Sequence, residues 1–181
     1  MTDGERSRRF EEMVLPHLDA AYNLARWLSG NASEAEDVVQ ESFVRALRFF
    51  DGLRGDNARA WLLAIVRNTW FTEWRRQDAA QAVPLDDVAD EAALSTLWPG
   101  ATPDNPERLA MQHEDAAQVQ QALAALALPY REVLVLRELE DMSYGDIATV
   151  VGIPVGTVMS RLSRGRRLLA AALRGARQGS E

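Results

Sequence analysis

At 181 residues, with 47% hydrophobic residues and a net charge of −7, the chain holds enough apolar material for one or two compact domains. No unbroken apolar run is longer than residues 60–66, far short of the roughly 20 residues that cross a bilayer, so no membrane insertion is expected. The lack of cysteine excludes disulfides, thiolate metal sites and cysteine nucleophiles, and His17 and His113 have no second ligand at metal-binding spacing.

The opening residues, MTDGERSRRF, carry no secretory apolar core, so a cytoplasmic location is expected. Apolar residues then recur at helical spacing nearly throughout, and no segment alternates like a strand. The expected fold is all-α: two small helical domains joined by an acidic linker, the C-terminal one a helix-turn-helix. The first domain is placed at 1–78. A helical region over 6–29, interrupted before Pro16, ends at Gly30-Asn31. Ser33 with Glu36 three residues on is a capping-box pattern opening a second helix, in which Val39, Phe43, Ala46, Leu47 and Phe50 form the apolar face. Its other side carries Asp37, Gln40, Glu41, Val44 and Arg48, with Glu41 and Arg45 at i, i+4.

A loop, DGLRGDN, spans 51–57. Gly52 and Gly55 permit tight turns there, and Arg54, Asp56 and Asn57 offer groups that match a base edge. The third helix, 58–77, places Trp61, Leu62, Ile65, Val66 and Thr69 along one side. It also mixes Trp61, Trp70, Phe71 and Trp74 with Arg59, Arg67, Asn68, Arg75 and Arg76, and aromatic rings beside positive charge are how single-stranded nucleic acid is commonly held. Trp61 and Phe71 are expected in the core by helical position, which leaves Arg59, Asn68, Trp74, Arg75 and Arg76 as candidate contacts.

Residues 79–106 read as the linker, with four prolines in 78–106. Leu94, Leu97 and Trp98 form an apolar patch within it, either a short docking helix or unstructured residues. Eight acids and one arginine fall in 79–117, which accounts for the whole net charge and leaves a basic C-terminal end. All basic residues are arginine, the side chain that contacts phosphate or guanine in bidentate fashion.

The second domain, 107–181, opens with helices over 107–127 and 130–139. Ser143 then caps a short helix whose core face is Tyr144, Ile147, Ala148 and Val151; Gly152 ends it and Pro154 starts the next. That is helix-turn-helix spacing. In the second helix Val155, Val158, Leu162, Gly165 and Leu169 line the packed side, while Thr157, Ser160, Arg161 and Arg164 share another, where a recognition helix meets base edges. Arg166, Arg167, Arg174 and Arg177 extend the charge toward phosphates. The competing reading is an amphipathic hairpin with a solvated basic face.

Three ordered segments narrow the function. AEDVVQESFVRAL (35–47), FDGLRGDNARAWLLAIVRNTWFTEWRR (50–76) and SYGDIATVVGIPVGTVMSRLSRGRRLL (143–169) resemble the polymerase-binding, promoter-melting and upstream-element segments of the extracytoplasmic-function (ECF) sigma factors of bacterial RNA polymerase. The resemblance implies a non-enzymatic, cofactor-free chain whose partners are core RNA polymerase, promoter DNA and an anti-sigma protein. It places Asp37, Gln40, Glu41, Val44 and Arg48 on polymerase. Arg54, Asp56, Asn57, Arg59, Asn68, Trp74, Arg75 and Arg76 fall on the melted downstream element, and Thr157, Ser160, Arg161, Arg164 and Arg167 on the duplex upstream element. The linker acids, on this resemblance, mimic nucleic acid in a basic channel. Met159 stands where many relatives carry lysine, and Gly165 where alanine is common, which should loosen the recognition helix by roughly 1 kcal/mol. Two other classes fit the residues less fully: a helix-turn-helix regulator that does not deliver polymerase, and a helical adaptor that binds only proteins.

Overall fold

The computed structural model describes residues 2–73 and 110–179, and every long regular element among them is a helix. Expectations about the linker, the Leu94–Trp98 patch, Trp74, Arg75 and Arg76 lie outside the described residues.

Helix α1 (Asp3–Met13) opens with a capping box: Thr2 Oγ1 accepts from the Glu5 N–H at 3.3 Å, and Glu5 accepts from the Thr2 N–H at 2.8 Å. A single 3₁₀ turn containing Pro16 leads into α2 (Leu18–Ser29), the interruption expected from the proline. Gly30 ends α2 at φ +82°, a backbone conformation that favours glycine.

Helix α3 (Ala32–Phe49) begins earlier than its capping pattern predicts. The cap is Asn31, whose Oδ1 accepts from the Glu34 N–H at 2.8 Å, so Ser33 lies inside the first turn. Its buried stripe is Ala35, Val38, Val39, Ser42 and Ala46, and Leu47 is exposed rather than on the core face. Ser42 is accommodated there because its hydroxyl donates to the Val38 carbonyl at 2.6 Å. After a 3₁₀ turn at Phe50–Gly52, α4 (Ala58–Glu73) is capped by Asn57, whose Oδ1 accepts from the Ala60 N–H at 3.1 Å. Leu62, Leu63 and Val66 are fully buried in the same core as Leu24 and Val38, and Phe10 meets Phe50 edge-on at 5.4 Å.

In the second half, α5 (Ala110–Ala125) leads to α6 (Leu128–Leu134), with Pro129 in its first turn, where no backbone N–H is needed. A π turn, Val135–Leu139, continues it. Helix α7 (Tyr144–Val151) is capped by Ser143, which accepts from the Asp146 N–H at 3.1 Å, and ends at Gly152 with φ +74°. Helix α8 (Val155–Gln178) follows directly after Pro154, so the helix-turn-helix forms as its turn residues predict.

Helix α8 buries Val158, Leu162 and Gly165, whereas Val155, expected on this side, is exposed. It lies in the first turn, ahead of where α8 meets its neighbours. Gly165 has a packing role that spacing did not reveal. A Cβ there would sit 3.1 Å from Leu134 Cδ1 and 3.3 Å from Tyr130 Cβ, so the missing side chain lets α8 approach α6 closely. The two halves also pack on each other, α4 against α7 and α2 against α6.

Candidate nucleic-acid and polymerase interfaces

The proposed polymerase face of α3 is largely open. Asp37, Gln40, Val44 and Arg48 are exposed and Glu41 is half-buried. Glu41 accepts from Arg45 Nε at 2.8 Å, the i, i+4 pair expected, and Arg45 also reaches Glu73 on α4. The hydrogen bond to Glu41, followed by that to Glu73, holds the Arg45 guanidinium above its ordinary pKa. Leu47 and Phe49 join Val44 as large apolar groups open to solvent, and Phe49 is 60% exposed, the most open large apolar side chain among the described residues. Spacing assigned Leu47 to the core and left Phe49 out; Leu47 lies one turn from Val44 and borders its face, whereas Phe49 opens to solvent on another side at the end of α3.

Around the 51–57 loop, Gly55 takes φ +79°, and Arg54 and Asp56 are exposed. Asp51 accepts from Arg6 Nε at 3.2 Å, and Arg6 also donates to the Leu47 carbonyl at 2.6 Å, tying the loop's base to α1. A hollow of about 150 Å³ lies there, lined by Arg9, Phe50, Asp51 and Leu53. Phe50 was read from the sequence only as part of an apolar face, and Arg9 was not singled out, because α1 lies far upstream and only the fold brings it to the loop.

The next residues are engaged rather than free. Asn57 Nδ2 donates to Asp146 Oδ1 on α7 at 2.8 Å. Arg59 is half-buried and pairs with Glu140 Oε2 at 2.9 Å, while also donating to the Glu140 carbonyl. Glu140 accepts in addition from Asn23 Nδ2 at 3.3 Å. Arg67 makes a two-pronged pair with Glu132 on α6, at 2.7 and 3.1 Å, and its guanidinium lies 4.3 Å from the Phe71 ring centre. Asn68 is exposed. Trp61 and Trp70 pack on the core as partly buried rings, and Phe71 meets Trp70 edge-on at 4.9 Å. Burial, then the charge of Arg59, push the His17 imidazole pKa down.

On α8, Ser160, Arg164 and Arg167 are exposed, and Thr157 and Arg161 are half-buried. The Ser160 hydroxyl donates to the Gly156 carbonyl at 3.0 Å. The Arg164 guanidinium lies over the Tyr130 ring at 5.7 Å, so one member of the expected base-facing stripe leans on α6. Arg166, grouped by sequence with phosphate-seeking charges, pairs with Glu138 at 2.7 Å. That hydrogen bond raises the Arg166 pKa. Both partners are half-exposed, and such surface pairs exchange readily for other anions.

The Sigma-70 region 2 family matches residues 13–80, and Sigma-70 region 4 matches 116–169. ECF RNA polymerase sigma factor SigE of Mycolicibacterium smegmatis is 34% identical over 88% of this chain, which spans 60% of that protein's length. RNA polymerase sigma-H factor of Pseudomonas aeruginosa is 37% identical over 92% of this chain and 86% of its own. ECF RNA polymerase sigma factor SigW of Bacillus subtilis is 32% identical over 91% and 89%. Among solved structures, sigma factor RpoE in complex with the anti-sigma factor NepR from Bartonella quintana superposes with a TM-score of 0.69 at 26% identity, covering 92% of this chain and 98% of that one. CnrH in complex with the cytosolic domain of CnrY gives 0.64 at 28% identity, covering 93% and 90%.

Proposed function

The chain belongs to the ECF RNA polymerase sigma factors, which direct transcription initiation, and we propose from that premise which of its surfaces perform each step. As a sigma factor it is not an enzyme; polymerase supplies the nucleotidyl-transfer chemistry. The observation that carries the assignment is order: the region 2 match contains α2–α4, the region 4 match contains the helix-turn-helix, and both halves fold as packed helices.

In this proposal residues 1–78 form the polymerase-docking and melting domain, 79–106 the linker, and 107–181 the upstream-element domain. The α3 face of Asp37, Gln40, Glu41, Val44 and Arg48 docks on core polymerase, with the neighbouring Leu47 adding apolar area. Arg54, Asp56 and Asn57 select a base extruded from the melted strand, and Arg59, Asn68, Trp74, Arg75 and Arg76 hold that strand. The hollow beside Phe50 supports a base-sized site at this loop. Thr157, Ser160 and Arg161 contact bases of the duplex element, with Arg164 swinging off Tyr130 to join them, and Arg167 grips phosphate.

No helix among the described residues is long and apolar enough to cross a membrane, and we place the protein in the cytoplasm, beside polymerase. The similar RpoE of Bartonella quintana was solved in complex with an anti-sigma factor, and this chain is proposed to take an anti-sigma protein as well. Run-off transcription on genomic promoter fragments, with core polymerase and with or without this chain, is the test. Promoter-specific transcripts that require the chain are expected. Tight duplex binding by the chain alone, with no effect on core polymerase, would overturn the assignment in favour of a conventional regulator.

A further inference from the structure

The face of α8 turned away from the core begins apolar. Val158, Leu162 and Gly165 are buried, and on the other side residues 156, 159, 160 and 163 are exposed. Two large apolar side chains of this helix stand open to solvent, Val155 at 43% and Met159 at 53% exposed, one turn apart. Around Met159 the exposed neighbours are short: Gly156, Ser160 and Ser163, and a Cβ at Gly156 would meet nothing within 4 Å. The Ser160 hydroxyl donates its proton to the Gly156 carbonyl at 3.0 Å, so it offers no donor outward. No charged side chain occurs between Asp146 and Arg161. Helical Cα–Cβ bonds tilt toward the N-terminus, which carries the Met159 side chain back over the first turn of α8, the end that enters the groove in a helix-turn-helix. Met159 is therefore the longest group that this end of the helix presents, and it is apolar.

We propose that Met159, backed by Val155, reads a thymine of the upstream element through its C5-methyl group. The inference rests on the duplex-DNA role proposed above for α8. A single exposed methionine is ordinary on a protein surface; its place at the groove-entering end of a helix-turn-helix is what gives this one an occupant. Thymine alone among the four bases shows a methyl group in the major groove, whereas the other edges there show hydrogen-bonding groups that an apolar tip leaves unpaired. An unbranched, polarizable thioether adapts its shape to such a small apolar target. Base choice at this position thus comes from apolar contact, and the arginines farther along α8 supply the hydrogen bonds. A lysine at 159 would turn its charge to phosphate instead and give up the methyl contact.

The test takes a promoter fragment that core polymerase transcribes with this chain and replaces each thymine of the upstream element, on either strand, singly by deoxyuridine. Uracil pairs as thymine does and keeps its O4 acceptor, so only the methyl group is lost. Binding of the holoenzyme is measured by competition for the wild type, Met159→Ala and Met159→Leu, with circular dichroism checking that the variants keep their helicity. In the wild type, uracil at one position is expected to weaken binding about four-fold, the contribution of one buried methyl group. Met159→Ala is expected to bind the thymine and uracil forms alike, and Met159→Leu to keep most of the discrimination. If scrambling the upstream element abolishes binding while uracil is tolerated at every position, the methyl reading is overturned and the DNA role of α8 stands. A holoenzyme indifferent to the scrambling overturns that role, and the proposal with it. Discrimination that persists undiminished in Met159→Ala assigns the methyl group to another side chain. A loss in Met159→Ala that leaves the ratio between the thymine and uracil forms unchanged assigns Met159 to a protein contact, and either result overturns the proposal.

Discussion

Replacing Gly165 with alanine sets two effects of similar size against each other. In a helix interior, alanine gains roughly 1 kcal/mol over glycine because the glycine backbone loses more freedom on folding. From sequence alone the substitution is therefore stabilising. In the structure the new Cβ lies 3.1 Å from Leu134 Cδ1, 3.3 Å from Tyr130 Cβ and 3.4 Å from Leu134 Cγ. Leu134 is buried, with no solvent to move into, and Tyr130 Cβ shifts only with its backbone. Overpacking of this kind costs about 1–3 kcal/mol. The expected balance is a loss of about 1 kcal/mol, which for a chain of this size lowers the midpoint of thermal unfolding by roughly 2–4 °C. Urea denaturation followed by circular dichroism gives the free energy, and a leucine at the same position should lose considerably more. A Gly165→Ala variant that gains stability would refute the close-approach argument, leaving Gly165 as a mere weak point in the helix.

Arg67→Met strands the buried Glu132 carboxylate and is expected to destabilise the folded chain by about 3–5 kcal/mol, while the pair Arg67→Met with Glu132→Leu recovers most of it; additive losses in denaturant titrations would contradict the coupling. Met159, 53% exposed on α8, is expected when changed to lysine to add one phosphate contact, steepening the salt dependence of upstream-element binding in the holoenzyme by roughly 0.9 in log–log slope. An unchanged slope would place position 159 away from DNA. His17 has its pKa depressed in the folded state, so the unfolded chain takes up its proton first as acid is added. Its contribution to stability is full above about pH 6.5 and is lost as pH falls through the lower folded value. His17→Gln should flatten the stability profile in that window, and an unaltered profile would assign the pH dependence to other groups.

The all-helical class, the break at Pro16, the stop at Gly30 and the turn from Ser143 through Gly152 to Pro154 were all legible in the sequence. Each depends on residues within a few positions of one another: a cap that accepts a nearby N–H, a glycine free to take positive φ, a ring that fixes φ. The exposed polar side of α3 and the buried Leu62, Val66, Val158 and Leu162 were legible for the same reason, since helical period alone assigns a face. Periodicity failed at Leu47 and Val155, because a face is buried only where another element reaches it, and neither position is covered. It also could not tell that Asn31 rather than Ser33 caps α3, where two acceptable caps lie two residues apart. What only the tertiary structure decided is long-range: Arg9 and Phe50 sharing a hollow, Gly165 admitting Leu134, and Arg59 and Arg67 meeting Glu140 and Glu132 across 81 and 65 residues of chain. Sequence displays charge as composition, whereas pairing is a matter of distance, and distance between residues so far apart along the chain exists only once the helices have packed.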